Sequence, residues 1–310
     1  MKPSPIQQRG AAILIAMLVV TLVATLAAGL QWRQWRLLQQ ESAARAQSQS
    51  AWVLVGALDW ARLILREDAR SAGNGGLIDH LGEPWALPLQ EAKLSSFLSA
   101  EALSDYQQGD AYLSGAILDA QSKINLTNLV ANNLGQNQVS PASYQTLLRL
   151  YERMGLPESE LKAWTNAWLA GLQANKDEAL RPKRLDQLTW LGVPASSIER
   201  LKPHAIILPE RTPVNLNTAS ATVIYAAVPG IDLSAAQKLV QARSSAPLKS
   251  ISDAQTLLGT NQTLNPSELS VSTQYFEVFG RLRMVEWSFE EASLVKRTGV
   301  DVVAVWRRRQ

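Results

Sequence analysis

The residues able to do chemistry are few and far apart. His80 and His204 are the only histidines, 124 positions apart, and there is no cysteine. Neither histidine stands in a metal-type spacing, and without thiols the chain builds no disulfide, thiolate metal site or cysteine nucleophile. His204 follows Pro203 near an expected helix end, where a cation suits the helix dipole. His80, in Leu77-Ile-Asp-His-Leu81, reads as a partly buried surface residue. No serine lies in a nucleophile elbow, and Gly73-Asn-Gly-Gly76 is no phosphate loop because no Lys-Ser/Thr follows. Glu290 and Glu291 point to opposite faces of an expected strand, so they cannot act as a pair. Catalysis by this chain is not expected. The notable chemistry is instead done to it, at Arg9-Gly10/Ala11, where a glycine stands directly ahead of a long apolar run.

Residues 11–30 contain no charge and no proline. As a helix rising about 1.5 Å per residue they span roughly 30 Å, the depth of a bilayer core. Thr21 and Thr25 are the only polar side chains in the run, and both can bond back to helix carbonyls. Trp32 and Trp35 follow, placed for the membrane–water interface. Lys2 and Arg9 precede the span while Arg33 and Arg36 follow it, so charge alone does not orient it. In an ordinary secretory signal the cut follows the apolar region. A cut between Gly10 and Ala11 precedes it, removing the basic leader and keeping the apolar helix. The other reading of the same residues is an uncleaved signal anchor. Small side chains at Ala12, Ala16, Ala24, Ala27, Ala28 and Gly29 permit close approach of neighbouring helices.

The remaining chain must be folded around that rod. Its 310 residues suffice for two domains beyond the span, with 46% apolar and only 18% charged residues. The net charge is +3, and loss of Lys2 and Arg9 would leave 28 basic against 27 acidic residues, so no polyanionic partner is implied. Good helix formers continue to about Asp68, with Ala44, Ala51, Val55, Leu58 and Leu65 along one stripe. Residues 112–118 and 123–126 read as a hairpin around Asp119-Ala-Gln-Ser122. Strand-like alternation returns at 275–279, 287–295 and 300–306, the last two joined at Gly299. Between these places, residues 127–270 carry helical periodicity with breakers: 144–154 closed by Gly155, 158–172, 185–191 closed by Gly192, and 195–201. An all-helical block interrupting a sheet reads as an inserted domain.

The leader, the long helix, Lys123-Ile-Asn-Leu-Thr-Asn-Leu129, Val214-Asn-Leu-Asn-Thr-Ala219 and the Arg-rich final strand together resemble the general secretion pathway protein K family. The resemblance covers essentially the whole chain. It implies an α+β fold, a pilin-like long N-terminal helix packed on an antiparallel sheet, with a large inserted all-α domain. The divisions expected are a cleaved leader 1–10, helix and first strands 11–126, the insertion 127–270 and closing strands 271–310. The family implies a minor pseudopilin at the tip of the type II secretion pseudopilus, helping to initiate assembly for protein export from the periplasm. Implied partners are minor pseudopilins I, J and H, major pseudopilin G, the prepilin peptidase and inner-membrane lipid. The implied location is the inner membrane of a Gram-negative bacterium, single-pass, with the bulk periplasmic and Ala11 methylated after cleavage. Most relatives of the pilin class carry glutamate at mature position five, where this chain has Ile15. A carboxylate in lipid is costly unless paired, so a subunit with no neighbour above it gains nothing from one.

Val214 to Arg243 also resembles the helix-hairpin-helix of DNA-binding proteins, with Pro229-Gly230-Ile231-Asp232 at the hairpin. That resemblance supplies the alternative, a membrane-anchored periplasmic DNA-binding receptor. Asp232 stands where such hairpins have a second glycine, a carboxylate that repels phosphate and instead suits a helix cap. Lys238, Arg243 and Lys249 are too few for a strong electrostatic footprint, and no nucleic acid is expected. Protein K relatives can bind calcium through an acidic loop, matched here by Gln173-Ala-Asn-Lys-Asp-Glu178. Only Asp177 and Glu178 are anionic there, whereas calcium takes about six to eight oxygens. No tight site and no other cofactor are expected.

Overall fold

The computed structural model describes residues 9–71, 77–97, 111–133, 136–173, 181–259, 263–284 and 287–309. The chain divides into two units at Val55/Gly56. Helix α1, Arg9–Ser71, supplies all described residues of the first and opens the second. In the first unit the apolar side chains from Ile13 to Leu30 stand exposed, as suits lipid. Thr21 Oγ1 donates to the Leu18 carbonyl at 2.9 Å and Thr25 Oγ1 to Leu22 at 2.8 Å. The span therefore presents no unsatisfied hydroxyl.

The second unit is built on five antiparallel strands. They are β1 Leu89–Lys93, β2 Tyr112–Asp119, β9 Tyr275–Arg283, β10 Ser288–Thr298 and β11 Asp301–Arg309, adjacent in that order. Leu58, Ala61 and Leu65 recur at helical spacing on α1 and bury against Ile117, Val278, Val295, Val302 and Trp85. Phe276, two residues before Val278 on β9, joins the same core and meets Trp85 edge-on at 5.2 Å. At the centre, Gly115 of β2 faces Gly280 of β9, and a Cβ on Gly115 would come within 2.6 Å of the Phe279 carbonyl oxygen. Gly299, at φ +58°, allows the short turn from β10 to β11. Glu290 and Glu291 lie on opposite faces, Glu291 buried against Arg307 at 2.8 Å.

Strands β2 and β9 are neighbours paired from Tyr112↔Arg283 to Asp119↔Phe276. Everything in residues 120–274 is therefore inserted between two adjacent strands at one end of the sheet. The ends of the insertion meet without the sheet being disturbed. The remaining strands are β3 Ile124–Asn125, β4 Val130–Asn133, β5 Gln136–Val139, β6 Ala205–Ile206, β7 Val214–Asn215 and β8 Leu269–Ser270. The insertion is helical in the main, with helices Pro141–Met154, Glu158–Gln173, Ala195–Leu201, Ala221–Ala227, Leu233–Ser245 and Ile251–Leu258. It is not purely helical: β4–β5 forms a hairpin, and β3–β6 and β7–β8 form two-residue parallel ladders. The first helix shows why it folds: Ser140 caps it, Pro141 opens it, Gly155 at φ +65° closes it. Leu147, Leu150 and Tyr151 bury one face, and Tyr151 accepts at its hydroxyl from Trp164 Nε1 at 2.8 Å.

The hairpin expected at 112–126 does not form. Asp119 accepts from Gln121 N at 2.7 Å, capping a 3-10 turn at Ala120–Ser122 that carries the chain off the sheet. The place beside β2 goes to β9, and Ile124–Asn125 pairs instead with β6.

Candidate assembly surfaces

Gly10 and Ala11 fall in the first turn of α1. Ile15, at position five counted from Ala11, is exposed on the span. Ala12 and Ala16, and Ala24 and Ala28, are four residues apart and share faces of the helix, with Ala27 and Gly29 beside them. A Cβ at Gly29 would meet nothing within 4 Å among the described residues. The Trp32 and Trp35 rings lie 5.5 Å apart, tilted by 40°, at the end of the apolar run.

Within the insertion, remote segments are joined through buried amides, and these lie in the two phrases that stood out in the sequence. Asn125 donates through Nδ2 to the Glu210 carbonyl at 2.7 Å and accepts at Oδ1 from Leu208 N at 3.0 Å. Asn128 repeats the pattern on Thr212, donating to its carbonyl at 2.7 Å and accepting from its N–H at 3.0 Å. Asn217 does the same to Leu248, at 2.9 Å each way. Each side-chain amide thus pairs a remote backbone segment as a strand would, satisfying buried polar groups that no ladder reaches. Their role was not foreseen; the close spacing of asparagines and threonines among apolar neighbours was the signal.

Asp119 is the hub. Its carboxylate is buried at the end of β2 and accepts from Asn215 Nδ2 at 2.8 Å, Thr273 Oγ1 at 2.7 Å, Thr218 Oγ1 and Gln121 N. Burial pushes it up to about 6 despite these donors, with no cation paired to it among the described residues. Asn215 also donates to the Asp79 carbonyl at 3.0 Å. Asp79 is buried beside Arg297, whose guanidinium also reaches Asp68 of α1 at 2.7 Å and the Thr273 carbonyl at 3.0 Å. Burial raises both Asp68 and Asp79, with Arg297 opposing it.

Asp68, Asp79 and Glu83 place carboxylate oxygens within 4.8 Å of one another, the one group of metal-ligand type found among the described residues. Glu83, pushed up to about 7 by burial, accepts from His80 N at 2.9 Å and Trp85 Nε1 at 2.6 Å. Arg297 occupies the charge of this cluster, so a divalent ion would have to displace a buried guanidinium. The arrangement is an internal ion-pair network. His80 is half-buried there, its ring 3.9 Å from Glu83. His204 corrects an expectation: it is half-buried, its Nδ1 is buried with no partner among the described residues, and burial pulls it below its ordinary value. A neutral ring is cheaper to bury than a cation, so it does not serve the helix end as a charge. The acidic stretch at 174–178 lies outside the described residues.

In the hairpin region, Asp232 caps the helix Leu233–Ser245, accepting from Ala235 N at 2.7 Å and Ser234 Oγ at 2.9 Å. These bonds hold it below the usual carboxylate range. Gly230, at φ +77°, makes the turn. Arg243 is buried and donates to the Leu216 carbonyl, leaving exposed Lys238 and Lys249 of the three cations. This hairpin is built as packing.

An apolar N-terminal span, helix on antiparallel sheet and a large insertion between adjacent strands define a subunit of the pilin class. Residues 214–272 match the family model for type II secretion system protein K. A type II secretion system protein K of Pseudomonas aeruginosa is 30% identical, over 89% of this chain and 85% of its own length. One of Klebsiella pneumoniae is 25% identical over 97% and 96%. The chain belongs to the type II secretion system protein K family, the minor pseudopilins K. The fold agrees with a chain in the crystal structure of the GspK-GspI-GspJ complex from enterotoxigenic Escherichia coli. Its TM-score is 0.67 at 16% identity, over 87% of this chain and 99% of that one.

Proposed function

We propose that this chain is cleaved between Gly10 and Ala11, retained by its apolar helix in the inner membrane, and built into the tip of the type II secretion pseudopilus. The observation that carries this reading is the placement of residues 120–274, half the chain, between neighbouring strands of a pilin-like sheet. Bulk of that size obstructs a further subunit stacked on the same sheet end, while the slim span still packs sideways among similar helices. Ile15 supports it, since a topmost subunit needs no carboxylate for the amine of a neighbour above. The related complex of GspK with GspI and GspJ supports minor pseudopilins I and J as its partners. H and the major pseudopilin G would join below, after the prepilin peptidase has removed the leader. The role is structural, with the bulk of the chain in the periplasm, and neither catalysis, nucleic acid nor a bound calcium ion is part of it.

Replacing Gly10 by a bulky residue tests the scheme in secreting cells. Immunoblots should show only the longer, unprocessed chain, and co-purification with I and J and exoprotein export should both fall. Unchanged mobility with normal export would remove the basis of the reading.

A further inference from the structure

The face of the sheet opposite α1 bears a cleft whose cations outnumber its carboxylates among the described residues. Its volume is about 400 Å³, within the range of enclosed ligand sites. The floor is apolar: Leu294 of β10, Trp306 of β11 and Ile206 of β6. Around it stand Lys123, Lys183, Arg184, Lys202 and Arg308, against two carboxylates in the lining, Glu277 and Asp186. Lys123 pairs with Glu277 at 2.8 Å, Arg184 with Asp186 at 2.8 Å, and Lys202 with Glu199 beyond the rim. Lys183 and Arg308 have no carboxylate partner among the described residues, and Arg308 instead stands 5.9 Å from the Trp306 ring. Trp306 and Arg308, two apart on one strand, so present an aromatic face and a cation side by side.

We infer that this cleft takes an acidic peptide segment of a partner, with an apolar residue on Trp306 and carboxylates on Lys183 and Arg308. The inference rests on the cleft alone and holds whether or not the chain sits at a filament tip. A peptide fits better than a free anion for two reasons. The floor is apolar, which inorganic phosphate does not use. And β11 is the last strand of the sheet, so its outer edge offers backbone groups that no ladder strand takes among the described residues. An extended segment can use both that edge and the alternate side-chain positions.

The test uses the full chain in detergent micelles and a short fluorescein-labelled peptide of alternating glutamate and phenylalanine, followed by anisotropy at low salt. Exchanging both free cations, Lys183→Glu with Arg308→Glu, should weaken binding about tenfold or more, the size expected for losing charge-assisted contacts. Trp306→Ala should weaken it as well, and a lysine–phenylalanine peptide should not bind. Both cations are at the surface, so unchanged circular dichroism is expected and separates lost binding from lost folding. Equal affinity in the parent and the double variant overturns the inference. So does displacement of the peptide by inorganic phosphate or by anionic lipid at equal charge concentration, which would make the cleft a general anion site.

Discussion

On the α1 side of the sheet the contact is apolar: Leu58, Ala61 and Leu65 meet alternate residues of four strands. At the seam with the insertion the contact is polar and equally buried, made of Asp119 at the end of β2 with Asn215, Thr218 and Thr273. The first kind of contact is non-directional and tolerates change of partner along a stripe. The second is directional and costs full desolvation whenever one bond is missing. A fold that accepts a 155-residue insertion between neighbouring strands needs the junction set in a single geometry, and the buried Asp119 carboxylate with its directed donors sets it. Arg297 belongs to both regions, tying Asp68 on the helix to Asp79 and Thr273 at the seam.

That makes Arg297 the place to break the comparison. Arg297→Met keeps apolar bulk under α1 but strands two buried carboxylates, and should cost about 3–5 kcal/mol. Urea unfolding of the full chain in detergent measures it, and double substitution with Asp79→Asn should recover part of the loss. A loss below about 1 kcal/mol, the scale of an exposed pair, would show that solvent reaches the pair and that the seam is not dry.

The seam also titrates, which the apolar layer cannot. Asp119 at about 6 lies above its ordinary 3.8, so the folded chain holds that proton more tightly than the unfolded one. Its contribution is complete below pH 3.8 and is lost as pH rises through about 6, some 3 kcal/mol in all at about 1.4 kcal/mol per unit. Asp119→Asn should therefore flatten the fall in unfolding free energy between pH 4.5 and 7 relative to the parent. Glu83, Asp68 and Asp79 titrate alike in both chains and cancel in that difference. Parallel curves would mean that the carboxylate is not buried as the geometry has it.

The apolar region was legible in the sequence because its signals are periodic: the charge-free run, the α1 stripe and the alternation at 275–279. The seam was not. Ile124 and Asn125 look like the second arm of a hairpin by strand propensity alone, and only Asp119's bond to Gln121 N, which turns the chain away, says otherwise. The asparagine partners lie 31 to 136 residues away, a distance at which a single sequence carries no pairing signal. Asp232 was readable, because a cap is settled within three residues.

Asp232 gives the smallest expected effect and the sharpest contrast between a structural hairpin and a phosphate-binding one. Asp232→Gly restores the second glycine of the DNA-binding pattern and removes the repelling carboxylate. Because glycine is itself a fair cap, the loss of stability should be only a few tenths of a kcal/mol. If the hairpin were a nucleic-acid element held off by that one carboxylate, the variant should gain low-salt affinity for duplex DNA in a gel shift. The geometry says otherwise: Arg243 is spent under the hairpin on the Leu216 carbonyl, and two exposed lysines neutralise too few phosphates to hold a duplex. No gain is therefore expected, whereas sub-micromolar binding by the variant would return the hairpin to the polar, functional side of the comparison.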